Sequence, residues 1–380
     1  MIVEQLIYYG SKKKEFIKKS GIAIKAQMVL VFGSKNLVGD RAIVDDLRSS
    51  YPGSYLIGCS TSGEIFNTEV ANNTLTATAI CFEKTPVEFA SVNLADYQDD
   101  YSASEALARM VPHDGLRHVF LLSEGVNVNG SRLVAGLRDH LPANVTVTGG
   151  LAGDGSQFKE TYVIANNYAE KNVVALAAFY GDNIKIGYGS VGGWDTFGIE
   201  RLVTRSKDNV LYELDGKPVL DLYKEYLGEQ YSKMLPLSAF YFPLSIRSKA
   251  GGYELVRTIL GLDEAAKSLT FAGNIPEGYY AKLMKANTNS LINGALHAAE
   301  MSTKVIQHRS PKLAILISCV GRKLVLKQRV DDEVDVTREV LGQDVAYTGF
   351  YSYGEISHSS EGSPCELYNQ TMTITTFAEV

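Results

Sequence analysis

Gly58-Cys59-Ser60-Thr61-Ser62-Gly63-Glu64-Ile65 and Gly349-Phe350-Tyr351-Ser352-Tyr353-Gly354-Glu355-Ile356 share the spacing G-x-x-x-x-G-E-I at two distant places in the chain. Each is followed by an asparagine and a Thr-x-Thr pattern. Upstream of the first copy lie the apolar run MVLVFG at 28–33 and a stretch, 41–49, with Ala42, Ile43 and Leu47 at helical spacing. Short β-branched runs bounded by glycine read as buried strands, and apolar residues three to four apart read as one helix face. A second strand at 55–59 leads into the turn 60–64, and an alternating strand follows at 74–81. The same order recurs at the end of the chain: strand 313–318, helix 333–341, strand 345–350, turn 351–356, strand 371–377. A middle copy runs from strand 119–123 through helix 131–141 and strand 145–149 into Gly149-Gly150-Leu151-Ala152-Gly153-Asp154-Gly155, with a later strand at 173–180.

Such repetition predicts a duplicated supersecondary unit. The expected fold is α/β (mixed α+β): two related halves built from strand-helix-strand-turn-strand units, with mixed sheets covered by helices. A partial fourth copy is expected within 237–282. Residues 211–227 carry a turn at Asp215-Gly216 and then Pro218, a favoured opening residue of a helix. That places an expected hinge near 215–230, between domains at 1–218 and 219–380.

Ligands of α/β folds bind beyond the carboxyl ends of strands. The candidate site therefore comprises Ser60, Thr61, Ser62 and Glu64; Gly149, Gly150, Gly153 and Asp154; and Tyr351, Ser352, Tyr353, Gly354 and Glu355. Hydroxyls, glycine-freed N–H groups and carboxylates suit a polar small molecule such as an amino acid. The plainer alternative is that the glycines supply left-handed turns and that each Glu bonds a neighbouring backbone amide.

Enzyme motifs are missing: there is no dinucleotide G-x-G-x-x-G, no phosphate loop with its lysine, no G-x-S-x-G elbow and no H-E-x-x-H. An acid/base role for Glu64, Glu355 or Asp154 stays open as a second class of function, and a scaffold with no filled pocket as a third. The six histidines are isolated. His297 is singled out because it shares a helical face with Met301 within 290–303.

The formal charge of −6 argues against a nucleic-acid partner. Lys12, Lys13, Lys14, Lys18 and Lys19 are expected to form an exposed helix face. Four scattered cysteines without a C-x-x-C pair fit reduced thiols, with Cys59, Cys81 and Cys319 in the core. Neither a secretory leader nor an apolar stretch of spanning length is evident, so the expectation is a cytoplasmic protein with no membrane contact.

IGCSTSGEI at 57–65, TGGLAGDG at 148–155, LYELDGKPVLDLYKEYLG at 211–228, LTFAGNIPEG at 269–278, LMKANTNSLINGALHAA at 283–299, GFYSYGEI at 349–356 and ELYNQTMTIT at 366–375 together cover nearly the whole chain. With these stretches in this order the sequence resembles the FIST family, bacterial sensory proteins with an N-terminal and a C-terminal FIST domain. The resemblance implies domains at 1–218 and 219–380, a small-molecule ligand and signal transduction. Stand-alone members resembling this chain imply a further possibility: heme as cofactor, nitric oxide as signal, and a histidine kinase or cyclic-di-GMP enzyme as partner. The family's Glu-Leu-His-Asn-Gln-Thr-Met pattern has a histidine where this chain has Tyr368. On that basis Tyr368 and Asn369 join the candidate ligand site, and His358, Tyr368 and His297 are the candidate cofactor-binding residues. No metal ligand is assigned.

Overall fold

Three pairs of parallel strands carry the fold: Met28–Gly33 with Tyr55–Ser60, Leu116–Ser123 with Thr146–Leu151, and Leu313–Cys319 with Ala346–Ser352. They define units I, II and III in a computed structural model that describes residues 1–10, 13–22, 25–251 and 254–380. Every strand of these pairs is almost wholly buried, as expected for strands covered on both faces. Alternation assigns the two faces. Leu30 and Phe32, Phe120 and Leu122, and Ile315 and Ile317 point to one shared central core with Phe179, Phe350 and Phe377. Val31, Leu121 and Leu316 point the other way into three separate outer cores.

Helices cover those outer faces. Arg41–Ser50 buries Ile43, Val44 and Leu47 over unit I and is capped by Asp40, whose side chain accepts from the Ala42 N–H. Asp100–Arg109 and Gly130–His140 cover unit II, and Thr288–Val305 and Val330–Leu341 cover unit III.

Each six-stranded sheet has the same plan, and each borrows a strand from another unit. The first runs 163–165, 55–60, 28–33, 75–81, 2–8, 14–18. In the second the order is 365–368, 354–358, 146–151, 116–123, 173–180, 87–93. The third reads 69–71, 64–66, 346–352, 313–319, 372–379, 184–191. Unit I thus lends its post-turn strand to unit III, unit III to unit II, and unit II to unit I. The mixed α/β architecture of repeated units expected from the sequence is what the structure shows, and two of these three six-stranded sheets hold strands from both sides of residue 218.

A fourth, eight-stranded sheet built from residues 195–285 differs from expectation. All its pairings are antiparallel, so 237–282 is not another copy of the unit. Nor is 215–230 a free hinge. Asp215 and Gly216 turn with φ of 50° and 72°, and Val219–Ser232 follows as a helix that buries Val219, Leu220, Leu222, Tyr223 and Leu227 against this sheet. The lysine-rich segment is a strand, not a helix. Lys14–Lys18 forms the charged edge of the first sheet, and Lys14 pairs with Asp46 at 2.7 Å, while Lys12 lies outside the described residues. Lysines on an edge strand discourage pairing with another chain, which a helix-based reading overlooks. Among the described residues no helix is long and apolar enough to cross a membrane.

Candidate functional site

The carboxyl ends of the three parallel pairs meet. Gly58, Gly149 and Gly349 sit at equivalent registers opposite Val31, Leu121 and Leu316. A Cβ on each would lie 2.1, 1.9 and 1.8 Å from the facing carbonyl oxygen, so glycine is required for close approach. Across each glycine the borrowed strand supplies an isoleucine: Ile164, Ile356 and Ile65, respectively.

Beyond the glycines the three turns close a ring of backbone hydrogen bonds. Ser62 N–H donates to Tyr351 O (2.8 Å), Tyr353 N–H to Leu151 O (3.2 Å) and Gly153 N–H to Ser60 O (2.9 Å). In every case the fourth residue after the register glycine donates to the second residue after the glycine of the next unit. The turns 60–64, 149–155 and 351–355, singled out in the sequence, therefore converge on one junction.

Most polar side chains of these turns hold the turns themselves. Glu64 accepts from Thr61 Oγ1 (2.5 Å), Thr74 N–H (3.1 Å) and Thr74 Oγ1 (2.7 Å). Glu355 repeats the pattern with Ser352 Oγ (2.5 Å), Thr371 N–H (3.1 Å) and Thr371 Oγ1 (3.0 Å). Burial raises the Glu64 carboxyl above its ordinary value and pushes Glu355 up to about 8, with the hydroxyl and amide donors opposing the rise. The two carboxylates share no hydrogen-bond partner, which weakens the acid/base reading and supports the plainer one of a Glu bonding a nearby amide. Ser60 Oγ accepts from Tyr162 N–H, and Ser62 Oγ donates to Gly155 O.

In unit II, Asp154 accepts from the N–H groups of Phe158, Lys159 and Glu160 and from the Tyr353 hydroxyl, while Phe158 stacks on the Tyr353 ring. Gly150 and Gly354 admit neighbouring side chains, Ile317 at 2.9 Å and Leu151 at 3.0 Å from a hypothetical Cβ. The Tyr351 ring lies beside Gly63 and Lys323. Its hydroxyl donates to Glu333 (2.6 Å), which forms a fully buried ion pair with Arg322 (2.7 Å).

A recess of about 160 Å³ opens between units I and II at the junction. Its walls are Ser34, Lys35 and Asn36, then Thr61, Ser62, Gly63 and Glu64, then Asn72 and Asn73, and finally Asp154, Gly155 and Gln157. Unit III reaches the same place through Lys323, whose Nζ donates to Ser62 O (2.6 Å) and Asn72 Oδ1 (2.5 Å). Burial lowers the Lys323 ammonium, and the nearby Glu64 charge opposes that.

The candidate cofactor residues do not converge. His358 accepts from Val147 N–H at Nε2 (3.0 Å), and its Nδ1 lies 2.6 Å from Ser363 O, so neither ring nitrogen is spare. It borders a recess of about 500 Å³ at the opposite, amino ends of the unit II strands, with Tyr188 and Lys185. Tyr368 is buried in the core of the fourth sheet, where desolvation pushes its phenol upward and disfavours a phenolate. His297 is exposed on the helix Thr288–Val305. An axial iron ligand needs a free imidazole nitrogen or a phenolate facing a slot, and these three residues do not fit a heme. Among the described residues no group of three or more His, Cys, Asp or Glu could hold a metal ion.

Sequence reasoning missed one further equivalence. Asn73, Asn172 and Gln370 each precede the last strand of a unit with φ of 59°, 58° and 64°. The residue after each accepts an N–H from the carboxyl end of the first strand: Ser34 to Thr74, Glu124 to Val173 and Cys319 to Thr371. Extending the two GEI repeats to Asn72-Asn73-Thr74 and Asn369-Gln370-Thr371 would have found two of the three. Asn369 itself is fully buried.

An uncharacterized protein of Methanocaldococcus jannaschii, MJ1623, is 23% identical over 359 residues, covering 84% of this chain and 67% of that protein. The FIST N domain matches residues 27–217, which contain units I and II, and the FIST C domain matches residues 220–358. FIST domains are sensory domains of signal transduction, and this chain belongs to the FIST family.

Proposed function

We propose that this chain senses a small polar metabolite in the recess at the three-unit junction and signals by changing its affinity for a protein partner. A histidine kinase or a cyclic-di-GMP enzyme is the partner class that the family membership suggests. The observation that carries the reading is the ring itself: a molecule seated against Lys35, Asn72 and Gln157 touches units I and II directly and lies one hydrogen bond from unit III through Lys323. A ligand shifts a conformational equilibrium only by its differential affinity for the two states, and a contact shared by three units supplies that difference. The recess is smaller than the ~300–1,000 Å³ of pockets for drug-sized ligands, so a metabolite of few heavy atoms fits, a free amino acid among them. Heme-borne nitric oxide sensing finds no axial ligand among His358, Tyr368 and His297.

Titration calorimetry with a panel of free amino acids and short carboxylates is the test. At least one compound is expected to bind, and Lys35→Met and Asn72→Ala are expected to weaken it tenfold or more without lowering the melting temperature by more than a few degrees. A binding compound indifferent to both substitutions would remove the recess from the account.

A further inference from the structure

Pseudo-equivalence singles out a second, closed place in the molecule. The recess of unit I is walled by residues 34–36, 61–64 and 72–73. The corresponding residues of unit III are 319–321, 352–355 and 369–370, as the matching backbone hydrogen bonds of Ser34 and Cys319 require. In unit III this place is covered: Trp194 Nε1 donates to Gln370 O (2.8 Å), and Phe240 of the 3-10 turn Leu237–Tyr241 stacks near Phe158 above Tyr353.

Under that cover both carboxamides lack partners. Asn369 and Gln370 are 0% exposed, and neither the oxygen nor the nitrogen of either side chain makes a hydrogen bond. Buried polar groups are nearly always paired because each unpaired one forfeits its hydration. Here two donors and two acceptors stand unpaired on consecutive residues. Gln370 also keeps a left-handed backbone, which favours Asn or Gly, at the position where units I and II carry Asn73 and Asn172. Its amide lies only 2.4–2.5 Å from where a Cβ on Gly321 would be, so glycine at 321 makes room for it. Unpaired polarity and tolerated backbone strain together mark a functional position.

We infer that Asn369 and Gln370 form a second binding site, closed by Trp194 and the turn that carries Phe240, for an uncharged molecule that presents a hydrogen-bond donor beside an acceptor, as a primary carboxamide or a urea does. Each side-chain amide can pair such a group through two opposed N–H···O bonds. Charge is disfavoured there. The nearby Arg322 and Glu333 neutralise each other, and Glu355 keeps its proton until about pH 8. The site goes beyond the open recess and does not depend on it.

Saturation-transfer NMR with acetamide, against acetate and methylammonium as charged controls, tests the site. Acetamide alone is expected to show transfer from the wild type, and Gln370→Met and Asn369→Leu are each expected to abolish it. Both variants should melt at or above the wild-type temperature, because apolar atoms replace unpaired amides. Lys35→Met, in the open recess, should leave acetamide binding intact, so loss of the recess reading and loss of this one are told apart. Should Gln370→Met fail to fold, Gln370→Glu keeps the shape and is expected to lose acetamide once its carboxyl ionises. Absence of acetamide binding to the wild type overturns the inference, as does undiminished binding in the variants with a lowered melting temperature, which would mean that buried water satisfies the amides.

Discussion

Replacing Glu355 by glutamine removes a titration from the centre of unit III while keeping its shape. The carboxyl is fully buried and its ordinary value of 4.5 is pushed up to about 8 by desolvation. The folded state therefore holds this proton more tightly than the unfolded chain does. Its contribution to stability is whole below pH 4.5, falls as pH rises towards 8, and levels off above that. At about 1.4 kcal/mol per pH unit, the stability of Glu355→Gln relative to the wild type should rise by on the order of 4 kcal/mol between pH 5 and pH 9. Glutamine can still accept from Thr371 and donate to Ser352, so the two proteins should be close at pH 5. Urea denaturation of both proteins at half-unit pH intervals measures the difference. Taking the difference cancels other groups, including His118, whose imidazole burial lowers to about 3 and whose effect runs the opposite way. Parallel stability curves would refute the reasoning, because they would mean that the donors around Glu355 already hold it ionised.

Gly349→Ala would place a Cβ 1.8 Å from the Leu316 carbonyl, between two strands that cannot separate without opening the core. A loss of ~3 kcal/mol or more is expected in chemical denaturation. Arg322→Met should cost ~3–5 kcal/mol by leaving Glu333 buried without its partner, and adding Glu333→Leu should recover much of that loss in the same assay.

The repeated unit was legible because its signal is local: apolar runs, helical spacing and the shared glycines lie within a few dozen residues of one another. Turn residues 60–64, 149–155 and 351–355 were found for the same reason. The ring they form was not legible, since it depends on Ser62, Gly153 and Tyr353 donating across units, and no local pattern encodes a partner in another unit of the chain. The functional weight placed on Glu64 and Glu355 missed that Thr74 and Thr371 wait downstream to occupy them. Residues 237–282 were misread as a repeat because an antiparallel meander and a parallel unit offer the same short apolar strands. Lys14–Lys18 was misread because an edge strand with one solvated face carries as much charge as an exposed helix.

Strand lending also sets a timetable for the nascent chain. The sheet of unit I cannot be completed before residues 163–165 emerge, and that of unit II waits for 354–358, long after its own strands at 116–123, 146–151 and 173–180 have been made. Unit III in turn needs 64–66, made long before its own strands exist. During translation the early apolar strands must therefore stay unassembled with open borders, which are sticky. Contacts of such long sequence separation also slow closure, so the early strands should lean heavily on chaperones until residues 354–358 have been made.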